Sequence, residues 1–411
     1  MSKGANGRSS IHRRAASTGW VGWVSFGNDP ATGKRRRKKV TGQTKTEVAA
    51  KVARLEADRD GGYAGGAGRI TVQQWLDQWI AAKAGSVRPK TIIGYGVDRA
   101  HIVRSIGSIE LTKLTPEDIE AMYAAVLASG CGTATTTHVR ATLSAALTAA
   151  ARRGRIARNP VPAATSPRLV SARVEPLSEA ETRRVLDAAA GGRNAARWAL
   201  ALLVGPRQGE VLALRWADVD LDSGTLRIRR SLARATWKHG CAAAPCGGKR
   251  GADCPQRHGG GLVAGPVKTS AGERTIALPA GLTAMFRAHR TAQTAERLRT
   301  GSVWRDTGYV FTDERGQPLD PRRDWGRWKA LLAEAGVRDA RLHDARHSSA
   351  TFALLDGTDP VVVMARHGWG SRVLLDRYQH AVVEAQRSAA ARTDARFFGA
   401  DEGPSYGVIP R

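Results

Sequence analysis

The chain is poor in acid, in aromatics and in cysteine, and it contains no long apolar run. It has no apolar stretch of about 18 residues, which argues against a membrane-spanning helix. It shows no signal-peptide pattern, so the expectation is a soluble, cytoplasmic protein. Four cysteines in 411 residues are too few for a disulfide scaffold. No repeat recurs at solenoid periods. The shortage of acid is the most telling of these: 37 Asp and Glu face 64 Lys and Arg, a formal charge of +27. Such an imbalance calls for a polyanionic partner, with nucleic acid ahead of an anionic membrane surface. A membrane surface would want a long basic amphipathic helix, and none is present. A 42% hydrophobic content is ordinary for a folded chain, so disorder does not explain the charge. The length implies two to four domains.

Residues 1–66 read as a small basic module. Trp20, Val21, Trp23, Val24 and Phe26 suggest a strand, with turn signals at Asn28-Asp29-Pro30 and Thr32-Gly33. The run Lys34, Arg35, Arg36, Arg37, Lys38 and Lys39 follows, and suits phosphate contact; a solvated surface or a localisation tract is the plainer alternative. Residues 44–58 read as a helix, ended by a glycine linker at Gly61-Gly62 and Gly65-Gly66. Residues 67–165 read as helical. Val72, Trp75, Leu76, Trp79 and Ile80 form an apolar helix face behind a Thr71–Gln74 capping box. Thr115-Pro116 starts a second helix and residues 135–153 form a third. These stripes are core. Residues 166–176 form a proline-bearing linker. Residues 177–395 open on a Ser178–Glu181 capping box and mix helices with strands at 225–229 and 274–278. A tail, 396–411, is expected to fray.

Within that last segment a set of side chains suits phosphate chemistry. Arg207 lies in Gly-Pro-Arg-Gln-Gly-Glu, Lys268 precedes a strand, and His343 and Arg346 stand three apart on one helix face. His367 and Tyr378 follow. A phosphodiester repels nucleophiles, and its transition state gathers charge on the non-bridging oxygens. Fixed guanidiniums answer both problems, because each can pair two oxygens and none loses its proton. Arg207 and Arg346 are the expected clamp, with Glu210 orienting Arg207 from behind. A helix starting near residue 344 would add partial positive charge at its N-terminus. A phenol ionises only to about a thousandth at pH 7, so Tyr378 would need a base, with His343 as the first choice.

In this order, these residues resemble the tyrosine recombinase (phage integrase) family, over almost the whole chain. The resemblance implies a multidomain, mainly α protein: a small α+β N-terminal arm-binding module, a helical core-binding domain and a mixed α+β catalytic domain. It implies that Lys268, rather than Lys238 or Lys249, protonates the leaving 5′ oxygen. It makes His367 a hydrogen-bond donor to the phosphate, although His367 stands eleven residues before Tyr378 where ten is usual. Trp369 is the fallback, since some members use tryptophan there. Attack by Tyr378 would give a 3′-phosphotyrosine link without ATP or a catalytic metal. The implied partners are double-stranded DNA attachment sites of a phage or mobile element, a homotetramer in the synaptic complex, and accessory bending or directionality proteins. Val382, Val383 and the final helix are a plausible docking element for a neighbouring subunit. A type IB topoisomerase-like enzyme and a non-catalytic DNA-binding regulator are the alternatives.

One segment lies outside that pattern. An insert at 238–262 carries Cys241, Cys246, Cys254 and His258, a donor set suited to structural zinc, with His239 as an alternative fourth ligand. The plainer reading is a DNA-facing loop with free thiols. Cys131 lies apart from them.

Overall fold

A computed structural model describes residues 9–13, 19–28, 33–60, 70–168, 175–241 and 246–397. The glycine linker at 61–66, part of the expected turn at 29–32 and the tail from 401 lie outside the described residues, as do the side chains of Val382 and Val383. The chain forms two compact units, Met1–Ala172 and Arg173–Arg411.

The first unit begins with an antiparallel sheet of β1 (Ser10–Arg13), β2 (Trp20–Asn28) and β3 (Arg35–Gly42), backed by α1 (Lys45–Asp60). Val24, Val48 and Val52 form its small core. A Cβ at Gly22 would come within 2.6 Å of Val52 and 3.0 Å of Val48, so the sheet approaches α1 closely only because glycine stands there. The basic run is itself strand β3, paired with β2 from Trp20↔Gly42 to Ser25↔Arg37. Strand alternation puts Arg35, Arg37 and Lys39 on the face away from Val40. Lys39 lies over Trp23 at 5.7 Å and Arg35 Nε donates to Ser25 Oγ at 3.2 Å.

A separate helical core follows: α2 (Val72–Lys83), α3 (Pro89–Ile106), α4 (Pro116–Ala128) and α5 (Thr133–Arg152). The Thr71–Gln74 and Thr115–Asp118 capping boxes close reciprocally, each satisfying two otherwise orphaned donors. The apolar stripe is buried at Val72, Trp75, Leu76 and Trp79, and Trp75 Nε1 donates to Ala146 O at 2.8 Å. Burying such a side chain contributes about 1.5–3 kcal/mol.

The second unit comprises α6 (Glu179–Ala189), α7 (Ala195–Leu203), α8 (Gln208–Leu212), β4 (Val219–Asp220), β5 (Thr225–Ile228), β6 (Arg230–Ala235), β7 (Gly261–Pro266), β8 (Arg274–Ala277), α9 (Ala280–Thr300), α10 (Pro321–Glu334), α11 (Leu342–Leu355), α12 (Pro360–His367) and α13 (Gln379–Phe397). The order β4-β5-β8 makes one sheet, and β6-β7 a separate hairpin that pattern reading missed. The cysteine insert occupies the end of that hairpin. Leu200, Val204, Leu226, Ile228, Ile276, Phe286 and Phe311 centre the core over the sheet. A second cluster packs around Trp198 and Trp328. Between helices lies a fully buried ion pair, Arg197 Nη2 to Asp324 Oδ2 at 2.7 Å. Asp324 Oδ2 also accepts from Gln208 Nε2 at 2.8 Å, which fixes the segment next to Arg207.

Candidate active site

α7 ends in a tight turn through Gly205, whose φ is +74°. A Cβ there would sit 2.9 Å from His367 Nε2 and 3.0 Å from Ser349 Oγ, so only glycine fits. The turn leaves Gly205 O free to accept from Arg346 Nη1 at 2.7 Å. Arg346 Nη2 donates to His367 O. Two main-chain carbonyls thus grip the Arg346 guanidinium, which is only 4% exposed.

Arg207 stands just before α8. Its N–H donates to Glu210 Oε2 at 3.0 Å, Nη1 to Oε1 at 2.7 Å, and Nη2 to Gly368 O at 3.3 Å. Glu210 has a second cation, Arg274, whose Nη2 donates to Oε2 at 2.9 Å and whose Nε donates to Arg366 O at 2.7 Å. Glu210 therefore has the orienting place expected of it. Arg274 was missed in the sequence, where it reads as an ordinary basic residue opening a strand. Burial alone would raise the Glu210 carboxyl, but Arg274 and Arg207 outweigh it and hold the group below the usual range. Arg346 moves the other way: burial first, then the like charge of Arg207, pull it down to about 9, still cationic at neutral pH. Three guanidiniums around one carboxylate leave a local surplus of positive charge. That surplus is what an anionic phosphate would neutralise.

α11 places His343 in its first turn and Arg346 one turn on. His343 keeps part of its surface in solvent, yet burial and then the charges of Arg346 and Arg207 hold it below the usual histidine range. The helix start does not offer the bare N-terminus expected for a phosphate. Asp344 folds back on it, accepting from Arg341 N at 2.8 Å.

Tyr378 is 2% exposed and belongs to the same group of elements. Its hydroxyl lies 2.6 Å from His347 Nδ1, and its ring stacks on Trp369 at 5.3 Å. The imidazole on the nucleophile candidate is therefore His347, in place of the expected His343, which sits edge-on to His347 at 5.0 Å. Helical spacing explains the exchange. His343 and Arg346 share a face, and His347 lies one full turn beyond His343, at the Tyr378 side.

His367 also needs correction. It is fully buried, and its ring is held at about 3 by burial, then by the charge of Arg346. A neutral ring bonded through Nδ1 to Val363 O, at 2.9 Å, leaves a lone pair on Nε2, and Nε2 is buried without a partner. In that tautomer Nε2 offers no N–H to a phosphate. α12 closes on Gly368 in the left-handed conformation, which turns His367 inward and brings Trp369 over Tyr378. Arg346 lies 5.9 Å from the Trp369 ring.

Lys268 lies between β7 and β8, exposed. The segment after it abuts the site: a Cβ at Gly368 would sit 2.8 Å from Ala271 O. Arg207, His343, Arg346 and Tyr378 converge, whereas Lys268 is placed on the adjoining loop.

In the insert, His239, Cys241, Cys246 and Cys254 meet, with their ligand atoms all within 4.8 Å of one another. His258 does not join them. It is exposed, and its backbone pairs with Lys238.

The phage integrase family matches residues 260–384. An integrase of Saccharopolyspora erythraea is 38% identical over 96% of this chain and 98% of its own length. The Tn1549 transposon integrase, solved in complex with a circular intermediate DNA, is 18% identical with a TM-score of 0.63, over 79% of this chain and 99% of that one. A lambda integrase tetramer bound to a Holliday junction has a TM-score of 0.51 at 17% identity, over 90% of this chain and 94% of that one. These two structures share the fold. Sequence relationship and fold together place the chain in the phage integrase family, and it is a tyrosine-type site-specific DNA recombinase.

Proposed function

We propose that this recombinase cuts and reseals DNA through Tyr378, at attachment sites of a phage or other mobile element. The Tyr378 oxygen attacks phosphorus, the bond to the 5′ oxygen breaks, and a 3′-phosphotyrosine link forms. The bond energy stays in the adduct, so a second DNA 5′ hydroxyl can reverse the step and exchange strands. Arg207 and Arg346 take the non-bridging oxygens, where the surplus positive charge lies. The phenolic proton passes to His347 Nδ1. An ordinary phenol keeps its proton at pH 7, so Tyr378 is the donor in that contact and the ring nitrogen the acceptor. His343, beside both arginines, can hydrogen-bond the phosphate. Trp369 offers its indole N–H in the place expected of His367. Lys268, on its mobile-length side chain next to the site, supplies the proton to the leaving 5′ oxygen. Glu210 and Arg274 hold Arg207 in position.

One observation carries this reading: a buried tyrosine hydroxyl 2.6 Å from an imidazole, on the helix that also carries the buried Arg346. A non-catalytic regulator has no use for that arrangement. Strand β3, with Arg35, Arg37 and Lys39 outward, is suited to a second stretch of DNA backbone. We further propose a homotetramer in the synaptic complex, in line with the lambda integrase assembly, working on DNA inside a bacterial cell with accessory bending or directionality proteins. The test is trapping on a nicked suicide substrate, followed by peptide mapping of the linked residue. Linkage at Tyr378 is expected; a different linked residue, or none, would overturn the assignment.

A further inference from the structure

The insert at the end of the β6–β7 hairpin takes no part in the phosphate chemistry, yet four of its side chains converge. His239 Nδ1 lies 3.8 Å from Cys241 Sγ and 3.5 Å from Cys246 Sγ, and Cys241 Sγ lies 3.6 Å from Cys254 Sγ. We propose that His239, Cys241, Cys246 and Cys254 bind one structural zinc ion, and that this ion holds the insert folded.

Three of the six ligand-to-ligand separations are those of a tetrahedron around a metal, and no pair is more than 4.8 Å apart. Zinc–sulfur bonds of about 2.3 Å and zinc–nitrogen bonds of about 2.0–2.1 Å require ligand-to-ligand edges of about 3.5–3.8 Å. The three separations above fall in that interval. A disulfide would need about 2.05 Å between sulfurs, so the 3.6 Å approach of Cys241 and Cys254 is no such bond. Three thiolates with one imidazole in a closed tetrahedral set favour zinc over harder cations.

The surroundings support the same reading. The backbone N–H of Gly248 is directed at Cys246, and those of Gly240 and Gln256 at Cys254. Amides two residues beyond a cysteine that point back at its sulfur stabilise a ligating thiolate and fix its direction. A side chain at Gly240 would collide with Gln256 O, so the chain crosses itself at the ligands only because residue 240 is glycine. Gly251 and Gly260 pack against Trp237, and Arg257 lies over the same ring at 4.9 Å. Among the described residues from 236 to 260, Cys254 alone is buried. The segment has no apolar core of its own, and a bound ion supplies the cross-link that such a segment needs.

The test uses the full chain, produced with zinc in the medium and dialysed against metal-free buffer. Elemental analysis should find about one zinc per chain. An organomercurial should release it as the thiols react, read with a colour indicator. Cobalt in its place should give intense thiolate-to-metal absorption and the visible bands of a tetrahedral site. Cys246→Ser and His239→Ala should each lose metal or bind it far more weakly, while His258→Ala keeps the full amount. Protein that lacks zinc and shows no tetrahedral cobalt spectrum would overturn the site, and the cobalt arm needs no variant to fold. Zinc retained by a Cys246→Ser, Cys254→Ser double variant would overturn it as well.

Discussion

Strand β3 and the guanidinium cluster around Glu210 are both rich in positive charge, and they are built on opposite terms. On β3 the cations stand in water; Arg35, Arg37, Lys38 and Lys39 are exposed. Around Glu210, Arg274 and Arg346 are drawn inside while Arg207 stays partly in water, and backbone carbonyls or a buried carboxylate hold each one. The first arrangement costs little and gains little until a polyanion arrives, as exposed charges are screened. The second spends stability in advance, through desolvated like charges, to have its donors already aimed. Net charge alone cannot distinguish the two; burial and bonding can.

That contrast can be broken experimentally. The largest effect should come from Tyr378→Phe, which is expected to bind DNA normally and yield no covalent adduct on a suicide substrate. Arg346→Lys keeps the charge but loses the two-carbonyl grip, and single-turnover cleavage should fall by about 10²–10³. A wild-type rate for this variant would mean that charge, without aim, is sufficient. Glu210→Gln leaves Arg274 and Arg207 facing a neutral amide. Removing one partner of a buried pair typically costs about 3–5 kcal/mol, read here as a lower urea midpoint of the catalytic unit.

Acid should expose the same difference. His367 takes no proton in the folded chain until about pH 3, whereas an unfolded histidine takes one near pH 6.5. Between those values the unfolded state binds more protons, so stability is complete above about 6.5 and declines as pH falls toward 3. His367→Leu should flatten the drop in urea midpoint between neutral and mildly acidic buffer. The smallest effect belongs to β3. Arg37→Ala with Lys39→Ala should reduce the salt dependence of DNA affinity by about 0.9 per lost phosphate contact, and leave cleavage at saturating DNA unchanged.

The sequence was most legible where interactions are local. The capping boxes at Thr71 and Ser178 and the proline-led helix start at Thr115 each depend on near neighbours, and each is formed. Arg207, His343, Arg346 and Tyr378 could be singled out as candidates because phosphate chemistry restricts the residue types, and the fold brings the four together. What escaped was the choice of partner across the fold. Arg274 reaches Glu210 from 64 positions away, and nothing near it in the chain signals that. His347 was passed over because only the placement of Tyr378 shows which histidine of α11 meets it. His367 and Trp369 exchange places through one left-handed residue, Gly368, and a linear motif does not display such a turn. In the insert, His239 and His258 were both within sequence reach of the thiols; the antiparallel pairing of Lys238 with His258 directs the latter's side chain elsewhere.

Arg346 is gripped by the carbonyl oxygens of Gly205 and His367, and Arg207 leans on that of Gly368. Every amino acid carries such an oxygen. The grip thus asks nothing of side-chain chemistry and depends on the path of the main chain, a path that at Gly205 and Gly368 itself requires glycine. A designer wishing to retune this enzyme could rewrite much of the surrounding sequence, provided the loops at 205 and 368 keep their course.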